Sequence, residues 1–518
     1  MRDDTIPVPG APDRAGIYGN LTDDLLRTDW WTDAMLTRAD IPVVDIPFVS
    51  IGGGIGSFVT VDYLRICGVP TSAIRVFTQL DTPWESYEYL TRVSQIPRGE
   101  RLRSDSASCP DNIWGFPSYA LREAIATRSI APLKHVLLEP IFDDYWTPKA
   151  GQAFASMEQE YHRIRYPEMV VKGQVRMVRR RMGGGYFTIL TPPVGATRTK
   201  RIAFRSRYVH VAVGYPGLKF LPDLMDYRET HRDFGSVVNA YEPHEQIYER
   251  LHRAPGTVLV RGDGIVASRV LQRLIDDRDA RGLATQILHV FRTFVTGSHG
   301  PHLWMRRRGG DGWAYQGFNY PKSVWGGQLK ARVRKLEGKE RADLYELFGG
   351  TNTPRRRHWQ AQMRRGREEG WYRPFQGEIA TMEPGPHGTV QVQLKTATGP
   401  TRTQVTGVID CTGLEADIRE HRVLADLLDH SGAGRNPLRR LDVERSFEVR
   451  GTRSEPGRMY ASGTATLGGY FPGVDTFLGL QIAAQEIADD LARQGFCQTL
   501  GPVRSVNQWW KWVSGEKI

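Results

Sequence analysis

Leu25, Leu26, Trp30, Trp31 and Met35 recur among acids and arginines, a spacing that predicts an amphipathic helix over residues 21–38. Pro42 ends that pattern, and the β-branched run VVDIPFVSI predicts a strand over 43–51. The chain then reads Gly52-Gly53-Gly54-Ile55-Gly56-Ser57. Beyond it Ile55, Val59, Tyr63 and Ile66 share one helical face, with Gly68 and Pro70 as the stop. The run IRVFTQ predicts a second strand at 74–79. Strand, glycine loop, helix and strand make one complete βαβ unit.

Periodicity is weak over 81–119, and helical spacing returns at 119–128 and 153–166. Short strands are predicted at 169–178, 186–190, 201–204 and 208–213, joined in part by the turn Met182-Gly183-Gly184-Gly185, which suggests a β-meander. At Thr257 the βαβ pattern starts again. A strand at 258–261 leads into Gly262-Asp263-Gly264-Ile265-Val266-Ala267, a helix at 266–277 and a strand at 286–292. Residues 302–373 form a basic insertion with Arg306-Arg307-Arg308, Arg355-Arg356-Arg357 and Arg364-Arg365, and 330–348 within it reads as a charged surface helix. Strands resume at 389–395 and 405–410, and a long helix begins near Thr476.

The expected fold class is therefore α/β, with two Rossmann-like units some two hundred residues apart. A chain of 518 residues exceeds one ordinary core, so two or three domains are expected. Hydrophobic residues at 40% and charged residues at 25% fit a soluble globular protein. No stretch approaches the ~18 apolar residues of a membrane span. Residues 1–10 lack an apolar core, so no secretory signal is read and a cytoplasmic location is expected. Cys67, Cys109, Cys411 and Cys497 form no CxxC pair and are expected as buried thiols. His299 and His302 have no acidic neighbour, so no metal site is indicated. The net charge of +11 suits acidic partners or an anionic cofactor, and equally a solvated basic face.

The first loop matches G-x-G-x-x-G in part: Gly52 and Gly54 fit, Gly56 comes one place early, and Ser57 holds the third position. A tight turn needs a residue without Cβ, a second glycine lets backbone approach a pyrophosphate, and Ile55 opens a helix whose N–H groups face the anion. The acid that usually binds ribose at the end of the second strand is missing, which leaves Gln79 or Asp81. The second loop, Gly262-x-Gly264-Ile265-x-Ala267, matches better. Its second strand ends at Arg292, which suits a 2′-phosphate and favours NADPH over NADH, with Arg261 adding charge.

Paired loops of this kind resemble the two-dinucleotide-binding-domain flavoproteins, most like the class B flavin monooxygenases and N-hydroxylating monooxygenases. Four segments carry the resemblance: GGGIGS at 52–57, VHVAVGYPGLKFLP at 209–222, VIDCTGL at 408–414 and the closing YASGTATLGGYFPGVDTFLGLQIAA. The segments at 209–222 and 408–414 are similar to the family's first and second hinges between the two domains. The resemblance implies an N-terminal helical extension at 1–40, a split FAD domain at 41–215 and 401–518, and an NAD(P)H domain at 216–400. It also implies flavin contacts from Gly463, Thr464, Asp475 and Thr476, although Thr464 stands where the family has Asp. Arg103, Ser104 and Asp105 would lie near the flavin ring or position substrate.

The implied activity is monooxygenation of a small-molecule amine or carbonyl with NADPH and molecular oxygen, through a C4a-hydroperoxyflavin. The alternative is an NAD(P)H-dependent reductase that passes electrons to a quinone or redox protein, or a flavin-bound sensor. The basic insertion reads as a lid, a docking face or a membrane-surface patch. Its aromatics Trp313, Tyr315, Phe318, Tyr320 and Trp325 resemble a stacking platform, but no RNA-binding signature accompanies them and nucleic acid is not expected. An oligomer is compatible with the sequence.

Overall fold

The computed structural model describes residues 21–102, 118–138, 146–193, 201–299, 309–315, 327–348, 356–414 and 417–518. The single strand expected over 43–51 is two, Val43–Asp45 and Phe48–Ile51. Pro47 separates them, because proline has no N–H to give a ladder. The two pieces lie in different sheets. The same division splits 169–178 into Val170–Lys172 and Gln174–Arg181 at Gly173, where a Cβ would come 2.7 Å from Thr191 O. Arg207 likewise separates Ile202–Ser206 from Tyr208–Val211.

Each crossing passes the chain between two five-stranded sheets. One is wholly parallel, in the order Arg458–Ala461, Tyr208–Val211, Phe48–Ile51, Ile74–Thr78, Val170–Lys172. Phe48–Ile51 is buried at every position, as a strand covered on both faces must be. The other is the expected meander, Gln174–Arg181 with Tyr186–Thr191 and Ile202–Ser206, edged by Trp30–Trp31 and Val43–Asp45.

The helix expected over 21–38 is interrupted by that edge strand, leaving Asp23–Arg27 and Asp33–Arg38. Thr22 and Thr32 each cap one of them, and Trp31 is fully buried with its Nε1 donating to Leu25 O and Thr28 O at 3.0 Å. Burying the indole outweighs one continuous helix.

The third sheet has seven strands. Val237–Asn239, Gly407–Asp410, Thr257–Arg261, Gln286–Phe291 and Tyr372–Pro384 are parallel, and Val390–Thr396 and Gly399–Val405 extend it antiparallel. The boundary drawn at 400/401 falls inside this sheet.

Two readings of the basic insertion change. Trp313 and Tyr315 are not a stacking platform: both are buried in the core of this sheet's domain, Trp313 edge-on to Trp359 at 4.9 Å, while Phe318, Tyr320 and Trp325 lie outside the described residues. The charged surface helix is two helices, Gln328–Val333 and Gly338–Phe348, broken at a glycine with φ +47°. They bury Leu329, Val333, Leu344 and Tyr345 against Leu438 and Leu467. Cys67 and Cys497 come together: Gln498 N donates to Cys67 O at 3.0 Å, and Cys497 Sγ donates to Ala488 O at 3.4 Å.

Tyr345 Oη lies 3.0 Å from Gly469 O and 2.7 Å from Phe471 O, so the insertion is fastened to the closing segment. Tyr345→Phe leaves both carbonyls without that donor. The expected loss is about 1–3 kcal/mol of unfolding free energy, read as a lower urea midpoint at unchanged slope.

Candidate dinucleotide sites and the interdomain cleft

The first glycine loop joins Phe48–Ile51 to the helix Ile55–Ile66. Gly52 has φ +120°, and a Cβ there would come 2.2 Å from Ala212 O. Gly53 has φ +64° and lies against the Thr78 side chain. Gly54 differs: a Cβ would find only Pro83 O, at 3.9 Å. That open position is the N-cap of the helix, with no side chain capping it. The first-turn amides thus face an open approach, which fits a pyrophosphate. Gly56 sits early in the motif because Ala212 Cβ and Ser462 Oγ would each be 3.3 Å from a Cβ there. The loop and the closing segment meet at that point.

Ser57 heads a buried chain of polar groups. Its Oγ accepts from Gly53 N at 3.1 Å and from Ser50 Oγ at 2.8 Å. Ser50 Oγ is 3.0 Å from His210 Nδ1, and His210 Nε2 is 2.9 Å from Ser462 Oγ. With its own proton given to Ser57, Ser50 must accept from His210. The Nδ1–H tautomer is therefore required, and Nε2 accepts from Ser462. The helix Phe477–Arg493 follows, capped by Thr476, whose Oγ1 accepts from Gly479 N at 3.0 Å. Thr464 Oγ1 donates to Gly214 O at 2.9 Å, which holds the closing segment to the first hinge. Gly463 has φ +79°, and Asp475 is exposed just before the helix.

The second loop repeats this geometry. Gly262 has φ +120° and a Cβ would come 3.0 Å from Cys411 O, in the second hinge. Gly264 caps the helix Ile265–Arg281, again without a side-chain cap. A second buried histidine supports this loop from beneath. His289 Nε2 is 2.6 Å from Gly262 O, which can only accept, so Nδ1 accepts from Tyr372 Oη at 2.8 Å.

The sequence-predicted residues divide in what they face. Arg261 does not offer its charge to a ligand: it pairs with Asp223 at 2.5 Å and with the buried Asp410 at 2.8 Å. Asn239 Nδ2 donates to Lys219 O at 3.0 Å and Gly413 O at 3.5 Å, joining both hinges. Arg292 is exposed just past its strand, within electrostatic reach of Asp263 in the loop. Gln79 is exposed at its strand's end, and Asp81 pairs with Lys172 at 2.8 Å. Arg103, Ser104 and Asp105 lie outside the described residues.

A cleft of about 1040 Å³ separates the helices Glu85–Val93 and Ile265–Arg281, with Gln79 at its rim. The buried Arg269 reaches across it to Glu100. Arg356 Nη2 approaches Ser268 Oγ at 3.1 Å, and burial, then the Arg269 charge, pushes its guanidinium down to about 10. Elsewhere at the interface Tyr241 lies within electrostatic reach of Cys411, Tyr87 and Asp475, although burial is the larger cause of its raised phenol pKa. Arg269, Glu100, Tyr87 and Tyr241 stand far apart in sequence and carry no motif. Only the fold brings them together.

No protein-family model matches the chain, and no curated protein matches it. Solved structures do. An ornithine hydroxylase from Pseudomonas aeruginosa is 13% identical with a TM-score of 0.61, over 87% of this chain and 99% of that one. An ornithine N-hydroxylase from Kutzneria sp. 744, with reduced FAD, NADP⁺ and L-ornithine, is 12% identical with a TM-score of 0.62, over 87% and 100%. Bacillithiol disulfide reductase from Bacillus cereus is 12% identical with a TM-score of 0.52, over 87% and 100%. The likeness is one of fold: this chain shares the paired Rossmann-like architecture of these three enzymes.

His210 and His289 are each pushed down to about 3, by burial in both cases. Their folded pKa lies below the unfolded value of about 6.5. The fold therefore favours the neutral ring, and the associated stability is present above pH ~6.5 and lost as pH falls toward 3. Each contributes a slope of about 1.4 kcal/mol per pH unit. His210→Gln and His289→Gln are each expected to flatten the decline of unfolding free energy below pH ~6.5, measured by urea titration.

Proposed function

We propose that this chain is an FAD- and NADPH-dependent monooxygenase that oxidises a small amine. The observation that carries the reading is the pair of glycine loops, each turning at a glycine of φ +120° beside the end of a neighbouring parallel strand and each opening a helix. Gly52, Gly54, Ile55, Gly56 and Ser57 would hold the FAD pyrophosphate, with Gln79 toward the ribose. Gly463, Thr464, Asp475 and Thr476 would stand along the flavin. Gly262, Gly264, Ile265 and Arg292 would hold NADPH. Bound FAD supplies the chemistry, hydride acceptance followed by activation of molecular oxygen.

The chain's own groups have three tasks. The amides at Ile55 and Ile265 neutralise phosphate charge. The Arg261–Asp410 and Asn239 contacts hold the hinges, and with them the distance between the two cofactors. Tyr87 and Tyr241 narrow the interface and exclude water. The cleft is lined by charges of both signs, Arg92 and Arg356 with Glu85 and Asp276, a lining suited to a charged amine. The amine class also rests on the neighbours, one titled an ornithine hydroxylase and another a cadaverine monooxygenase.

Purified protein supplied with FAD, NADPH and oxygen should convert L-ornithine, L-lysine or cadaverine to a hydroxylamine, with NADPH consumption tied to product. NADPH oxidation that ends wholly in hydrogen peroxide with every amine, or in quinone reduction, would instead support the reductase. Arg292→Ala should raise KM for NADPH about tenfold while moving KM for NADH less than about twofold. Equal changes would remove Arg292 from the phosphate site.

A further inference from the structure

The arginines that line the interdomain cleft differ in what answers their charge. Arg98 pairs with Glu88, Arg269 with Glu100, and Arg273 with Glu245 and Asp277. Arg356 pairs with no carboxylate among the described residues. Its Nη2 donates to Ser268 Oγ at 3.1 Å, and its guanidinium stands 5.0 Å over the Trp359 ring. Its Nε is shut off from solvent and donates to no described group. The acids within electrostatic reach are already engaged, Glu100 by Arg269 and Asp276 by Gln272 and Gln362. An arginine keeps its charge even when half-buried, so the cleft holds a cation without a bonded counter-ion.

The place of this cation narrows what can neutralise it. Ser268 belongs to the first turn of the helix Ile265–Arg281: its N donates to Gly264 O at 3.2 Å and its Oγ to Ile265 O at 2.7 Å. Arg356 therefore stands beside the end of the helix that carries the positive pole of its dipole. That turn contains no acid, and no side chain caps it. Arg269, the next residue, is only 4% exposed, and its Nε also has no partner. Positive charges gathered this closely repel one another, and an anion in the cleft beside them relieves the repulsion.

We propose that Arg356, with Arg269 behind it, receives the pyrophosphate of the nicotinamide dinucleotide that the second glycine loop holds. The assignment rests on the dinucleotide reading of that loop. A pyrophosphate suits the place because one such group meets both the first-turn amides and a guanidinium beside them. Arg261, the cation nearest the loop in sequence, is neutralised by Asp223 and Asp410, so the charge comes from the insertion instead. The 2′-phosphate is a separate group, left to Arg292. The two arginines are thereby distinguishable, since the pyrophosphate is common to both nicotinamide dinucleotides and the 2′-phosphate belongs to one.

The test is calorimetric titration of the full, FAD-loaded chain with NADP⁺ and with NAD⁺. Arg356→Gln keeps a donor for Ser268 and removes the charge, and should raise Kd for both dinucleotides by about tenfold. Arg356→Lys, which keeps the charge, should stay within about threefold of the unaltered protein. Without dinucleotide the Gln variant should melt no lower than the unaltered protein, because the cation it removes has no bonded counter-ion there. Unchanged affinity in the Gln variant would overturn the assignment. So would a loss confined to NADP⁺, which would move Arg356 to the 2′-phosphate, or a Lys variant as weak as the Gln variant. A Gln variant that melts well below the unaltered protein would also overturn it, by assigning Arg356 to packing on Trp359. An unaltered protein that binds neither dinucleotide would sink the cofactor reading itself, whereas binding that Arg356→Gln leaves intact sinks this assignment alone.

Discussion

Two close backbone approaches govern this molecule. Gly52 passes beneath Ala212 O, and Gly262 passes beneath Cys411 O. In each case a glycine loop touches the end of the strand that becomes a hinge. A side chain at either glycine would push the loop from its hinge strand, and with it the helix N-terminus that the loop sets in place. The loop cannot move without the hinge, and the hinge connects the two halves. Local turn geometry and domain arrangement are thus one constraint.

Buried polar groups then fix what the glycines permit. Beneath the first loop, His210 joins Ser50 to Ser462 and so ties the loop to the closing segment. Beneath the second, His289 donates to Gly262 O. Both rings must be neutral, and their partners require opposite tautomers. Buried hydrogen bonds of this sort cost heavily if broken, which gives a flexible glycine loop a defined position. At the end of the seven-stranded sheet, Arg261 and Asn239 do the corresponding work on the neighbouring segments, and Arg269 spans the cleft to Glu100.

The serine at the third motif position shows how a departure from pattern acquires a reason. Read alone, Ser57 is a small residue that still packs. In the fold it accepts two hydrogen bonds and begins the chain to Ser462. Arg261 shows the reverse. A cation before a phosphate loop suggests anion binding, but Asp223 and Asp410 already neutralise it. Charge is visible in sequence, whereas its partner is not.

The two βαβ units, the meander and the closing helix were legible in the sequence, because these rest on short-range rules: period, turn residues and capping. The placement of the breaks was only half legible. Pro47, Gly173 and Arg207 all stand in the sequence, but that they mark crossings between sheets depends on which strands pair. The insertion was read as a surface because arginines dominate it, yet its few apolar residues find the closing segment and pack there. What tertiary structure alone decided is the interdomain cleft, the two buried histidines and the place of Arg356. Each depends on burial and on partners supplied by other elements of the fold, and no local pattern encodes that.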